Sequence, residues 1–212
     1  MGSTVKKYEW KDDKGHIFSS GGILFYDDNG IWVIEELLQN KIKYNDIGGK
    51  YNYEDCNIFA TICRELREET YNVCDLPYDK MISLSKIYRP SYVYNHLGIP
   101  SHVCYIVHTK DVPFLNFDMS KFKNNRNEAL KENPEVPSKY YSSLKLVYIS
   151  FSDIRRNQYL LSYRLIKILK YGTLSYLNLI KYDKNIDNLS PEISPNMSPK
   201  VSRENSGIEI DS

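Results

Sequence analysis

Three glutamates crowd one face of a predicted helix. Glu65, Glu68 and Glu69 stand at i, i+3 and i+4, a spacing that projects all three from the same side. Like charges so placed repel and cost helix stability unless a cation offsets them. Arg64, four residues before Glu68, and Arg67 supply part of that offset. Carboxylate oxygens are hard ligands, so a cluster of them suits Mg2+ or Mn2+ better than zinc. Standing alone, such a segment reads as the solvated acidic face of a surface helix. Here Gly48-Gly49-Lys50 lies upstream, joined to the helix by a short acidic loop containing Glu54 and Asp55. Glycine lets a backbone approach a phosphate or a metal more closely than any larger residue permits.

The surrounding periodicities define a mixed α/β unit. Ile23-Leu24-Phe25-Tyr26 and Ile31-Trp32-Val33-Ile34 flank the turn-forming Asp27-Asp28-Asn29-Gly30, which predicts a hairpin over 22–36. Residues 37–47 read as a connection. Ile58, Ile62, Leu66 and Thr70 recur every four residues, predicting a helix over 56–70 with Asp55 as its N-cap. Met81 to Tyr88, His102 to His108 and Leu144 to Phe151 read as strands. Residues 110–143 are polar, poorly periodic and interrupted by prolines, and read as a long connection. Leu160, Leu161, Leu165, Ile168 and Leu169 predict an amphipathic helix over 154–170, which residues 172–180 extend or follow with a short second helix. The chain thus divides into an arm over 1–18, one domain over 19–180 and a tail over 181–212. The tail carries Ser190-Pro191, Ser194-Pro195 and Ser198-Pro199. Its composition predicts disorder, and the repeats are candidate phosphorylation sites for a proline-directed kinase. A tolerated tail of biased composition accounts for them as well.

A length of 212 residues fits one domain of ordinary size with an appendage. With 28 Lys+Arg against 27 Asp+Glu, the net charge of +1 excludes a uniformly basic nucleic-acid binder. That balance averages unlike parts: −4 over 1–118, +7 over 119–180 and −2 over the tail. An acidic half beside a basic segment leaves a polyanionic substrate open. No apolar run reaches the ~20 residues of a membrane span, and the N-terminus lacks the apolar core of a signal peptide. Both point to a cytoplasmic protein without a membrane partner. The four scattered cysteines read as reduced thiols rather than a disulfide frame or a zinc site.

On Gly49, Asp55 and Arg64-Glu65-Leu66-Arg67-Glu68-Glu69 the sequence resembles the Nudix hydrolase family. Its signature reads G-x5-E-x7-R-E-U-x-E-E-x-G-U, with U a bulky apolar residue. The R-E-U-x-E-E core matches at every position, and the hairpin and Gly-Gly-Lys precede it as in that family. Asp55 stands where the family prefers glutamate, and eight residues rather than seven separate it from Arg64. Tyr71 occupies the place of the final glycine and Asn72 the apolar place after it. Asn72, which tolerates a left-handed conformation, is the expected helix stop.

The resemblance spans roughly residues 19–170. It implies an α/β/α sandwich around a mixed β-sheet and hydrolysis of a nucleoside diphosphate linked to another moiety. It implies catalytic roles for Glu68, Glu69 and Arg64, and Mg2+ or Mn2+ bound by Glu65, Glu68 and Glu69 with the carbonyl of Gly49 or Gly48. A further base is expected from a later loop, with Glu128, Glu132 and Glu135 as candidates. Gly48 and Lys50 are candidate substrate contacts. So are Arg89 and Tyr92, which cluster with Tyr88, Tyr94 and His96 in a group suited to contacting phosphate and stacking on a base; a Tyr-rich loop in a chain with 19 tyrosines reads the same way. Two alternatives stay open. One is a decapping hydrolase acting on capped RNA through Lys121, Lys123, Arg126, Arg155 and Arg156. The other is an inactive Nudix-like module that binds a nucleotide or a partner.

Overall fold

The computed structural model describes residues 10–11, 15–38, 40–132 and 143–180. The tail with its Ser-Pro repeats, and Glu135, lie outside the described residues. Trp10–Lys11 (β1) pairs with Ile17–Phe18 (β2) as a small antiparallel ribbon. Trp10 packs on the main core and Phe18 is fully buried in it. Ser20–Tyr26 (β3) and Gly30–Leu38 (β4) form the hairpin expected over 22–36, closed by Asp27 Oδ1 accepting from the amides of Asn29 and Gly30.

β3 and β4 stay paired only at Phe25–Trp32 and Tyr26–Ile31, and then diverge. The chain fills the gap itself. Residues 37–47, expected as a connection, hold instead Lys41–Asn45 (β5), which turns back on β4 through Asn40 at φ 62°. After Asp46, Ile47–Lys50 (β6) pairs with the first half of β3. Pro90–Tyr94 (β7) and Pro100–His108 (β8) extend the sheet beyond β3, with β8 parallel to β3. Ser143–Ser150 (β9) covers the other side of β4. The result is a seven-stranded mixed sheet, split where β5 and β6 wedge between its two central strands.

Alternation along the strands builds two cores. Ile23, Phe25, Val103, Tyr105 and Val107 face one layer, holding Ile58–Glu69 (α1), Tyr78–Ile87 (α2) and Met119–Glu132 (α3). Leu24, Cys104 and Ile106 face the other, holding Phe151–Arg156 (α4) and Tyr163–Tyr171 (α5). The fold is the expected α/β/α sandwich. Among the described residues no helix is long and apolar enough to cross a membrane.

Several elements differ from the sequence expectation. Met81 to Tyr88 is not a strand but most of α2, because Met81 and Leu84 are the buried positions and lie three apart. The connection expected over 110–143 contains α3, which buries only Phe122 and so shows no apolar stripe; its start is marked by Asp118, whose Oδ1 accepts from the amides of Ser120 and Lys121. The helix expected over 154–170 is broken into α4 and α5, the second capped by Ser162 Oγ on the amide of Leu165.

The end of α1 explains the missing glycine. The amide of Asn72 donates to Arg67 O at 2.8 Å and that of Tyr71 to Glu68 O at 3.2 Å, the paired bonds of a Schellman stop. Tyr71 at φ 51° and Asn72 at φ 59° are both left-handed. Tyr71 therefore adopts the conformation that glycine takes freely, at a cost of about 1 kcal/mol. Its ring packs edge-on against Phe122 of α3 at 5.2 Å, and Asn125 Nδ2 donates to its carbonyl at 2.7 Å. These contacts offset the strain. Tyr71→Gly is accordingly expected to be more stable than Tyr71→Ala by about 1 kcal/mol, the reverse of the order at right-handed positions. Urea unfolding of the two variants checks this, and equal midpoints would show that residue 71 is not held left-handed.

Candidate functional site

The Gly48-Gly49-Lys50 strand meets α1 at the split in the sheet. A Cβ at Gly49 would lie 2.3 Å from the Cδ of Glu65, so only glycine leaves room for that carboxylate against the backbone. One turn on, Glu69 Oε2 accepts from the amide of Gly48 at 2.7 Å. Glu68 points outward, its side chain 59% exposed. Arg64 binds this row together: Nη1 donates to Glu65 Oε1 at 2.8 Å and to Glu68 Oε2 at 2.9 Å, and Nη2 to Lys50 O at 2.9 Å.

Asp55 is not the N-cap of α1. Asn57 takes that role, its Oδ1 accepting from the amides of Phe59 and Ala60. Asp55 instead receives the fork of Arg64, Nε on Oδ1 at 3.1 Å and Nη2 on Oδ2 at 3.0 Å. Burial alone would raise the Asp55 carboxyl, but Arg64, the Asn52 amide and Thr61 hold it below its ordinary range. The pairing is bidentate, so it fixes the plane of the guanidinium as well as its charge.

Four residues absent from the sequence expectation complete the site. Asp46 is fully buried at the β5–β6 junction. Its Oδ1 accepts from Arg164 Nε at 2.6 Å, and its Oδ2 lies 3.0 Å from His102 Nε2. Arg164 comes from α5, in the opposite layer, and Nη2 reaches Gly48 O at 3.0 Å. The carbonyl of Gly48 is thus engaged, which leaves that of Gly49 as the candidate metal ligand of the two. Glu36, on β4, is buried, and its Oε2 accepts from Asn45 Nδ2 at 2.8 Å. Burial raises the carboxyls of Glu36, Glu65 and Glu69, that of Glu69 well above its ordinary range, with the charge of Glu36 adding to the shift. Two like charges brought together in a buried site repel strongly. The site is built to gain from a cation.

Asp46 and Arg164 lay outside the matching motif. Glu36 did carry a signal: it continues the face of Trp32 and Ile34 at period two, an acid at an inward position of β4. Lys50 is exposed at the end of β6. Tyr92 shares a sheet row with Val103, Gly21 and Gly49, three strand spacings or roughly 14 Å from Gly49. Its ring is stacked on Phe18 at 5.5 Å. Arg89 is exposed just before β7, and Glu128 and Glu132 are exposed on α3.

Asp46, His102 and Cys104 bring three ligand-type atoms within 4.8 Å of one another. They do not suit a metal: both oxygens of Asp46 and both ring nitrogens of His102 already have protein partners, Ser20 Oγ taking Nδ1 at 2.9 Å. Burial holds the Cys104 thiol well above its ordinary range, so it stays protonated.

Neither a protein-family model nor a curated protein sequence matches the chain. Among solved structures it is similar to a NUDIX hydrolase from Nitrosomonas europaea, at 15% identity over 77% of this chain and 95% of that one, with a TM-score of 0.43. It is also similar to a bifunctional NMN adenylyltransferase/ADP ribose pyrophosphatase from Francisella tularensis, complexed with AMP and Mn ion. There the identity is 16% over 43% of this chain and 26% of that one, with a TM-score of 0.31.

Arg164 and His102 outweigh the burial of Asp46 and hold its carboxyl at about 2, against an ordinary value of 3.8. A value lowered by folding adds stability that is complete above pH 4 and lost as pH falls toward 2, on the order of 2 kcal/mol here. Asp46→Asn is therefore expected to be less stable than the parent at pH 7 and to lose less stability between pH 4 and 2. Urea unfolding across that range checks it; an unchanged acid slope would show that Asp46 is not the titrating group.

Proposed function

We propose that the chain is a Nudix-type pyrophosphohydrolase, dependent on Mg2+ or Mn2+, that cleaves a nucleoside diphosphate linked to another moiety. The observation that carries this reading is the Glu65 carboxylate lying against the Cβ-free backbone of Gly49, with Glu69 one turn away on the Gly48 amide. The donor set fits a hard divalent cation, all of it carboxylate and carbonyl oxygen. Glu65, Glu69 and Glu68 would hold the cation, with the Gly49 carbonyl. When bound, it lowers the pKa of a water and offsets charge on the departing phosphate.

The chain's own groups do the positioning. Arg64 fixes Glu65 and Glu68 through charge-assisted bonds while its other edge is locked on Asp55. Glu68, the solvent-facing member, stands on the side from which a substrate enters. Exposed Lys50 and Arg89 are the cations offered to its phosphates, and Glu128 and Glu132 remain the candidate further bases.

A panel of diphosphate-linked nucleosides and capped RNA, run with Mg2+ and with EDTA, tests the proposal. Release of a nucleoside monophosphate only in the presence of metal is expected. Glu69→Gln is expected to lose at least about 100-fold in kcat with an unchanged circular dichroism spectrum. Turnover of capped RNA alone would select decapping, and no metal-dependent turnover at all would select the binding module.

A further inference from the structure

We infer that Glu36 is an additional ligand of the divalent cation, supplied by the sheet opposite the row of carboxylates on α1. This rests on the metal site of the proposed function and extends it to a residue outside the helix motif. Glu36 is only 6% exposed, on β4 beside the split. Its Oε2 accepts from Asn45 Nδ2 at 2.8 Å. Asn45 shares Arg164 with Gly48, whose amide donates to Glu69, and burial, then the charge of Glu36, raise the Glu69 carboxyl. Asn45 is itself fixed: its Oδ1 accepts from Ser162 Oγ at 2.8 Å and from Arg164 Nε at 3.2 Å. That double acceptance sets which end of the amide is oxygen and turns Nδ2 toward Glu36. Glu36 is therefore a buried acid held in one orientation, its charge bearing on the carboxylate that accepts from the Gly48 amide.

Without Glu36 the acids are a row along a single helix. With it they form a cup with walls on two elements, α1 and β4. A six-coordinate oxygen-seeking ion needs donors from more than one direction. Arg164 is close enough to lessen the charge of Glu36 and Glu69, but its hydrogen bonds go to Asp46, Asn45 and Gly48. It shares their field while its own hydrogen bonds are taken up elsewhere. A structural acid in the interior would be expected to sit on a cation of its own. Glu36 sits on an amide and in the field of another acid, an arrangement that gains most from a shared ion.

Mn2+ binding to the full-length protein, followed by electron paramagnetic resonance without substrate, tests this. Glu36→Gln keeps the shape and an acceptor for Asn45, and removes one negative charge. It is expected to weaken Mn2+ binding at least about tenfold while keeping the parent's Tm in the absence of metal or raising it. Mn2+ affinity equal to the parent's would overturn the inference. Should the variant not fold, anomalous diffraction from parent crystals soaked in Mn2+ decides. A peak within coordination distance of both Glu36 and Glu69 supports it. A peak on Glu65 and Glu68 alone overturns it and leaves the proposed function standing, whereas no bound Mn2+ removes both.

Discussion

The buried carboxylate of Asp46 is the point from which the rest of the site takes its geometry. It sits where the chain passes from pairing with β4 to pairing with β3. Arg164 reaches it from the layer below the sheet and His102 from β8, and His102 is in turn fixed by Ser20 of β3. Leaving such a charge without its partner costs about 3–5 kcal/mol, comparable to a large part of a domain's net stability. One ionic cluster thus ties the α5 layer to β3, β8 and the β5–β6 junction around the split. The Gly48 peptide is held as a consequence: Arg164 takes its carbonyl and Glu69 its amide.

The departures from the signature spacing leave Arg64 bonded to Asp55, Glu65 and Glu68 together. The extra residue before the core falls in the loop at 56–57, where Asn57 caps the helix and releases Asp55 from that duty. Asp55 then serves as the anchor of Arg64, steadied by Thr61 Oγ1 at 2.8 Å and the Asn52 amide at 3.0 Å. A guanidinium with one edge locked on a buried acid can offer its other nitrogens to Glu65 and Glu68 in fixed directions. The repulsion between Glu65 and Glu68 is thereby offset by one shared guanidinium.

How much of this could be read from the residues depended on how many apolar contacts an element makes. The hairpin of β3 and β4, helix α1 and strand β8 bury many side chains each, and their periodicity shows in the sequence. Helix α3 buries one side chain, so it leaves no stripe and only the cap at Asp118 marks it. In α2 a short apolar run fits period two as easily as period three, and packing against α1 decides. β5, with Lys41 and Lys43 beside Ile42 at 49% exposure, looks like a solvated linker and is a strand because β3 leaves that edge of β4 beyond Trp32. Within the site, the row on α1 and the two glycines were legible because spacing along one helix is a local property. Glu36, Asp46 and Arg164 come together across more than a hundred residues, a juxtaposition that only the sheet topology creates.

The stop at the end of α1 has a consequence for how signatures are written. At position 71 the residue type departs from the family's glycine, yet the dihedral angle of 51° is the one that glycine serves. Phe122 and Asn125 from α3 make a tyrosine tolerable there. A description in letters counts this position as a mismatch. A description in backbone angles would count it as a match, with the cost of the side chain transferred to a neighbouring helix. Positions of this kind are where two sequences can drift furthest apart in spelling while tracing the same path through space.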